Sequence, residues 1–412
     1  MKINLISLLA CASAMLMAGV SCGNSIEPDD NNNPYKSLDL TTKSMEFVEK
    51  GNTFAFNFID RINSAEKKDY VVSPLSMQFL LGMILDGAKG TTADEICQVL
   101  GFGEGQTGAV NEYCLSLLEQ LPKMDKKTTL SIADAIFVDD GWPLKKSYID
   151  DVSKFYKAEV SNLDFSNSSK ALKVINGWCD KQTNGLIPKV LDEVSTVILA
   201  YLLNAVYFKS QWAEKFEKGS TADETFTDET GTKNKVKMMK QRKDFGYYQN
   251  DTYQAVCLPY GNGVFKMTVF LPNNDCAVAD VTKALKKEAW NTLRFRMSTA
   301  DVDLWLPKFE TKYHIELNDI LSDMGMPSAF NAADFSAMSD YANSLSFVMQ
   351  DAVIKVDEEG TEAAAVSTAG IEKNSIGAPG DKVVFHADHP FLYLITESSS
   401  GAVLFAGRYS GK

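Results

Sequence analysis

Val356-Asp357-Glu358-Glu359-Gly360-Thr361-Glu362-Ala363-Ala364-Ala365-Val366-Ser367-Thr368-Ala369-Gly370 is the stretch that decides how this chain is read. Taken with period two, Thr361, Ala363, Ala365, Ser367 and Ala369 share one face, and all are small; Glu362, Ala364, Val366, Thr368 and Gly370 share the other. A strand with only small side chains on one face needs little new volume when it joins a sheet over a packed core. The competing reading is an Ala-rich helix capped by Thr361, which propensity alone favours because Ala and Glu are good helix formers. Two features count against it: Val366-Ser367-Thr368-Ala369-Gly370 is poor helix material, and the segment lacks the large apolar residues that hold a helix against a core.

Around this segment the chain divides by pattern. Ile198 to Phe208, Val264 to Leu271, Val302 to Leu306 and Val383 to His386 are apolar runs rich in β-formers and predict strands. Phe47, Phe54, Phe58 and Ile62 recur at helical spacing, and Ser76 to Ala88 is apolar nearly all round, which predicts a central buried helix. Thr92 is placed to cap a further helix through Glu95, Ile96 and Leu100 that ends near Gly101. Helical patterns also occupy Val281 to Phe295 and Ile315 to Met324. A mostly helical first half and a strand-dominated second half predict an α+β fold, with large antiparallel or mixed sheets and helices packed on them. No linker or repeat interrupts residues 43–412, so they are read as one large interlocked domain.

Of 412 residues, 45% are hydrophobic and 23% charged, an ordinary globular balance that does not predict disorder. The formal net charge of -13 argues against a nucleic-acid partner, for which a basic face is expected. Residues 1–21 read as a signal peptide: Lys2, an apolar stretch from Leu5 to Val20, then small residues before Cys22. Cys22 is placed like the acylated cysteine of bacterial lipoproteins, which predicts secretion across the inner membrane and a lipid anchor on the cell envelope, with plain extracellular release as the alternative. Residues 22–42 are expected to be that anchor and a flexible tether, given Glu27-Pro28-Asp29-Asp30 and Asn31-Asn32-Asn33-Pro34. Gly19-Val20-Ser21-Cys22-Gly23 fits a hydrolase nucleophile pattern, but it belongs to this leader. Cys97, Cys114, Cys179, Cys257 and Cys276 are odd in number and unpaired in pattern, predicting free thiols and neither a disulfide framework nor a metal site. No cofactor is expected.

Glu358-Glu359-Gly360-Thr361-Glu362-Ala363-Ala364-Ala365 resembles the hinge of the reactive loop in inhibitory serpins. The resemblance runs along nearly the whole mature chain, in the family's order. It includes Asn52-Thr53-Phe54-Ala55-Phe56, Ser73-Pro74-Leu75-Ser76, Gly87-Ala88-Lys89-Gly90-Thr91 and Asn204-Ala205-Val206-Tyr207-Phe208-Lys209. It continues through Leu258-Pro259-Tyr260, Leu306-Pro307-Lys308-Phe309, His389-Pro390-Phe391 and Leu404-Phe405-Ala406-Gly407-Arg408.

The resemblance implies a serpin fold with a reactive loop at about 358–382, monomeric and not an enzyme. It implies a suicide substrate: a serine or cysteine protease cleaves the loop, the cleaved hinge enters the main sheet as a strand, and the protease stays trapped as an acyl-enzyme. Counting along the hinge from Glu358 in the family manner puts the reactive bond at Asn374-Ser375; Lys373 is the alternative, which a trypsin-like enzyme would prefer. Ser73, Ser76, Asn204 and Gln350 match the polar cluster beneath the opening of the sheet, with Gln350 where many relatives carry histidine. Trp212, Lys308 and Glu358 match the place where the loop first joins the sheet, and a Lys308 to Glu358 ion pair is expected there. For Trp212, a plain core aromatic is the competing reading. A non-inhibitory serpin that acts as a surface binding protein is the alternative function. A catalytic hydrolase is the other rival, but His314, His386 and His389 stand in no triad or HExxH context.

Overall fold

The computed structural model describes residues 32–103, 105–341, 344–361 and 382–411. The leader and Cys22 lie outside the described residues, as do Glu362, Ala363, Ala364, Ala365, Lys373, Asn374 and Ser375. The helices are α1 (Thr42–Ala65), α2 (Pro74–Gly87), α3 (Gly90–Leu100), α4 (Thr107–Gln120), α5 (Lys146–Phe155), α6 (Ser168–Gln182), α7 (Val278–Lys287), α8 (Trp290–Arg296), α9 (Asn318–Met324) and α10 (Ser328–Asn331). The strands are β1 (Tyr70–Val72), β2 (Thr128–Asp139), β3 (Glu159–Leu163), β4 (Ala200–Gln211), β5 (Ala222–Thr227), β6 (Lys233–Gln249), β7 (Tyr253–Pro259) and β8 (Phe265–Pro272). They continue as β9 (Ser298–Pro307), β10 (Phe309–Glu316), β11 (Met349–Val356), β12 (Gly360–Thr361), β13 (Lys382–His386), β14 (Phe391–Glu397) and β15 (Val403–Tyr409).

The central helix forms for local reasons. Ser73 caps α2 by accepting from the Ser76 amide, and Pro74 fills the first turn, where its missing N–H costs nothing. Nearly every α2 side chain is buried, as its all-round apolarity requires. α1 buries Phe47, Phe54, Phe58 and Ile62 on one stripe. α3 ends at Gly101, whose φ of 76° suits a residue without Cβ. It begins at Gly90, however, so Thr92 sits inside the helix and does not cap it; its hydroxyl accepts from the Asp334 amide instead. The Val281 to Phe295 pattern divides into α7 and α8, because Glu288 and Ala289 take extended backbone. Ile315 pairs with Gln350 in a sheet, so the helix expected from Ile315 starts three residues later.

Two sheets enclose the core. One has nine strands in the order β1-β15-β14-β8-β7-β6-β9-β13, with β5 on β6; the other has six, β10-β11-β12-β4-β2-β3. Parallel pairing of β2 with β3 and of β13 with β9 makes both mixed. In the six-stranded sheet, even-numbered β4 residues such as Val206 and Phe208 face the main core with α2. Odd-numbered Tyr201, Leu203 and Ala205 face α6 through Ala171, Ile175 and Trp178.

Residues 32–41 correct the expectation of a free tether. They carry no regular structure up to the helix, yet they are fastened to the body. Buried Asn33 donates to Asp125 at 2.7 Å and accepts from the Lys126 amide. Asn262 reaches the Pro34 carbonyl, and Asp39 exchanges two hydrogen bonds with Gln120. Low apolar content ruled out a core here, but amide and carboxylate pairing holds the segment instead.

Candidate functional site

β11 runs out at Val356, and the chain turns through Asp357, Glu358 and Glu359 before β12. Asp357 and Gly360 exchange backbone hydrogen bonds across that turn, 2.9 and 3.2 Å. β12 then lies between β11 and β4, with Thr361 opposite both Val356 and Ser210 and Gly360 opposite Gln211. The Trp212 and Phe216 amides donate to the Glu359 and Glu358 carbonyls. A Cβ placed on Gly360 would meet the Ser210 carbonyl oxygen at 2.0 Å, so only glycine fits between these strands.

Charge pins the turn. Lys308 Nζ lies 2.8 Å from a Glu358 carboxylate oxygen, the ion pair expected from the sequence, and Thr221 donates to the other oxygen. Burial pushes the Glu358 carboxyl up, but these hydrogen bonds outweigh it and hold the group below its usual range. Glu359 is held low by Lys215, with Lys218 adding to it. Thr361 is buried, its hydroxyl 2.6 Å from that of Tyr260. Trp212 stacks on Tyr260 at 4.4 Å and donates its indole N–H to the Asp357 carbonyl. It is thus both a core aromatic and a fastener of the hinge.

A second polar group lies under the middle of the same sheet. Gln350 on β11 exchanges two hydrogen bonds with the Ser73 backbone, 2.9 and 3.0 Å, tying the sheet to the cap of α2. Ser73 Oγ donates to the Leu404 carbonyl of the other sheet. Asn204 donates to Asp134 of β2 at 2.7 Å. Burial raises the Asp134 carboxyl to about 7, against a smaller opposing pull from Asn204. Hydrogen bonds thus join Ser73, Ser76 and Gln350, Asn204 pairs instead with Asp134 within the sheet, and Trp212, Lys308 and Glu358 meet at the sheet's end.

Sequence reasoning missed Asp134, Lys215, Lys218 and the Tyr260 partner of Thr361. Only Asp134 carried a signal, an acid at an inward position of the alternating run Ile132-Ala133-Asp134-Ala135-Ile136.

Residues 49–411 match the family described as serpin (serine protease inhibitor). The chain is a serpin. An uncharacterized serpin-like protein of Thermococcus kodakarensis is 31% identical over 411 residues, covering 96% of each chain. Among solved structures, the native state of tengpin, a thermophilic serpin, superposes with a TM-score of 0.81 at 28% identity, covering 92% of this chain and 96% of that one. Human thyroxine-binding globulin complexed with thyroxine superposes with a TM-score of 0.78 at 28% identity, covering 89% and 98%. The serpin fold and its α+β organisation follow.

The histidines occupy structural positions in this serpin. His386 stacks on Trp305 at 3.9 Å, and His314 pairs with Asp351 across β10 and β11. His389 is within hydrogen-bond distance of Asp388 through one ring nitrogen and of the Pro272 carbonyl through the other. None of the five described cysteines stands in a disulfide with another described residue, and Cys97, Cys114 and Cys179 are buried.

Proposed function

We propose that this serpin is a suicide-substrate inhibitor of a serine or cysteine protease. The observation that carries the reading is β12: the hinge has already begun a strand between β4 and β11, and the sequence beyond it keeps that face small as far as Ala369. Extending the strand gives its backbone N–H and C=O groups ladder partners on two sides, which supplies the driving force for insertion. A bulky or charged side chain on that face would slow insertion and let the protease complete hydrolysis. A strand of about sixteen residues at roughly 3.3 Å each spans on the order of 50 Å, so an attached acyl-enzyme is carried far across the molecule.

The reactive bond in this reading is Asn374-Ser375, or the bond after Lys373. In this reading the inhibitor is a monomer, exported by its leader and held at the cell envelope by a lipid on Cys22, with extracellular release as the alternative. The second reading, a binding protein on a serpin scaffold, draws on the thyroxine-bound neighbour. Mixing the protein with trypsin-like, elastase-like and papain-like proteases separates the two. An inhibitor yields a denaturant-resistant complex of summed mass; a scaffold is cut or ignored, and every protease stays active.

A further inference from the structure

A run of buried polar side chains leads from the N-terminal segment to the hinge. Asn33 donates to Asp125 Oδ1 at 2.7 Å. The other oxygen of Asp125 accepts from the Thr128 hydroxyl at 2.8 Å, and the Thr128 and Ser210 hydroxyls lie 2.6 Å apart. Thr128 stands opposite Ser210, and Ser210 opposite Thr361, so one row crosses β2, β4 and β12. Asn33, Asp125, Thr128, Ser210 and Thr361 are all buried. A carboxylate only accepts, and a hydroxyl has one proton to give. Thr128 therefore gives its proton to Asp125 and takes that of Ser210, so the row is oriented from the Asp125 end.

A second branch starts from the same segment. Asn262 donates through its side chain to the Pro34 and Met124 carbonyls, and through its amide to Asp125 Oδ2. The two residues before it hold the hinge. Tyr260 Oη is 2.6 Å from the Thr361 hydroxyl and its ring stacks on Trp212, while the Gly261 amide donates to the Gln211 carbonyl. Gln211 is the residue opposite Gly360. Ser210, which pairs with Thr361, and Tyr260, which bonds its hydroxyl, thus both trace back to Asp125 and Asn33. Burial makes each donor to Asp125 count, because a buried carboxylate that loses one gains no water in exchange.

We propose that Asn33 and Pro34 form a clasp that couples the seating of the N-terminal segment to the docking of the hinge. With the segment in place β12 is held in the sheet; with the segment displaced it is released. The hinge docked against Trp212 and Phe216, or withdrawn from them, gives the two states that the clasp biases. Such coupling is reciprocal, so withdrawing the hinge also loosens the segment. A pull on the chain ahead of Asn33 then reaches the hinge. The inference goes beyond the inhibitor reading and is independent of it, since it concerns the uncut protein and needs no protease.

The test is amide hydrogen exchange in the intact protein at Trp212 and Phe216, which donate to the hinge carbonyls, and at Lys126, which donates to Asn33. Asn33→Ala should quicken exchange at Trp212 and Phe216 about fivefold, an ordinary coupling within one hydrogen-bond network, and leave the amides of β3 unchanged. That effect should vanish in a Ser210→Ala background, with Thr128→Val taking its place where Ser210→Ala does not fold. Gln120→Ala, which frees the segment at Asp39 without touching Asp125, should leave the hinge amides at the wild-type rate. In the other direction, Gly360→Ala should quicken exchange at Lys126. Unchanged Trp212 and Phe216 rates in Asn33→Ala, an equal quickening of β3, or a full effect without Ser210 would overturn the clasp. So would hinge rates raised equally by Gln120→Ala, or an unmoved Lys126 in Gly360→Ala. None of these rates depends on whether a protease is trapped, so the clasp and the inhibitor reading fail separately.

Discussion

Gly360→Ala puts the hinge under direct test. The added Cβ would stand 2.0 Å from the Ser210 carbonyl oxygen and 2.7 Å from Gln211 Cα, against the roughly 3.5 Å of an ordinary contact. Both atoms are backbone of a strand paired on its far side, so β12 must retreat by more than 1 Å. That retreat breaks the pairing of Gly360 with Gln211 and the Thr361 to Tyr260 hydrogen bond. Overpacking of this kind costs about 1–3 kcal/mol, which is a factor of roughly 5 to 150 in the population of docked hinge. In the proposed mechanism trapping competes with hydrolysis of the acyl-enzyme, so a slower start to insertion diverts molecules to the cleaved, non-trapping outcome. The assay is the number of inhibitor molecules consumed per protease molecule silenced, expected to rise several-fold over wild type. Hydrogen exchange at the Trp212 and Phe216 amides, which donate to this turn, should quicken in parallel. If both quantities match the wild type, the docked hinge does not initiate insertion.

Three further outcomes are expected. The Glu358 carboxyl is held below its ordinary value of 4.5, so its hold on the hinge is full above that value and lost as pH falls through the depressed one. Lys308→Ala should move the acid-induced change in tryptophan fluorescence to higher pH, at a cost of about 1 kcal/mol given the exposure of the lysine; an unmoved midpoint contradicts the pairing. Asp134 behaves oppositely: burial raises it from 3.8 to about 7, so it withholds stability increasingly as pH climbs between those values. Asp134→Asn should flatten the fall of melting temperature between about pH 4 and 7, with half-buried Asp86, also raised to about 7, supplying the residual slope; identical slopes refute this. Asn33→Ala leaves Asp125 without its 2.7 Å donor and should lower stability by about 1–2 kcal/mol in urea titration, whereas no change would mean that the segment is not fastened.

Much of the fold was legible because it rests on local pattern. The all-round apolarity of Ser76 to Ala88 and the apolar strand runs specify what must be buried, and the ordered motifs specify how those pieces connect. β6 escaped because Lys233 to Gln249 is rich in lysine and glutamine, and nothing in its own composition shows that it pairs along β5, β7 and β9. The break between α7 and α8 escaped because a helical period does not reveal two extended residues within it. At the site, Lys308 with Glu358 was legible by resemblance. The Lys215 and Lys218 partners of Glu359 come from a loop about 140 residues earlier and become neighbours only through the fold. Residues 32–41 were misread because their polarity speaks against a core, not against specific hydrogen bonds.

The central claim is that the chain beyond Thr361 becomes a strand between β4 and β11 once the loop is cut. Amide hydrogen exchange across 362–370, compared before and after scission, measures this most directly. The account predicts that these amides become as slow after cutting as those of the flanking strands. Exchange that stays equally fast in the nicked protein would contradict it.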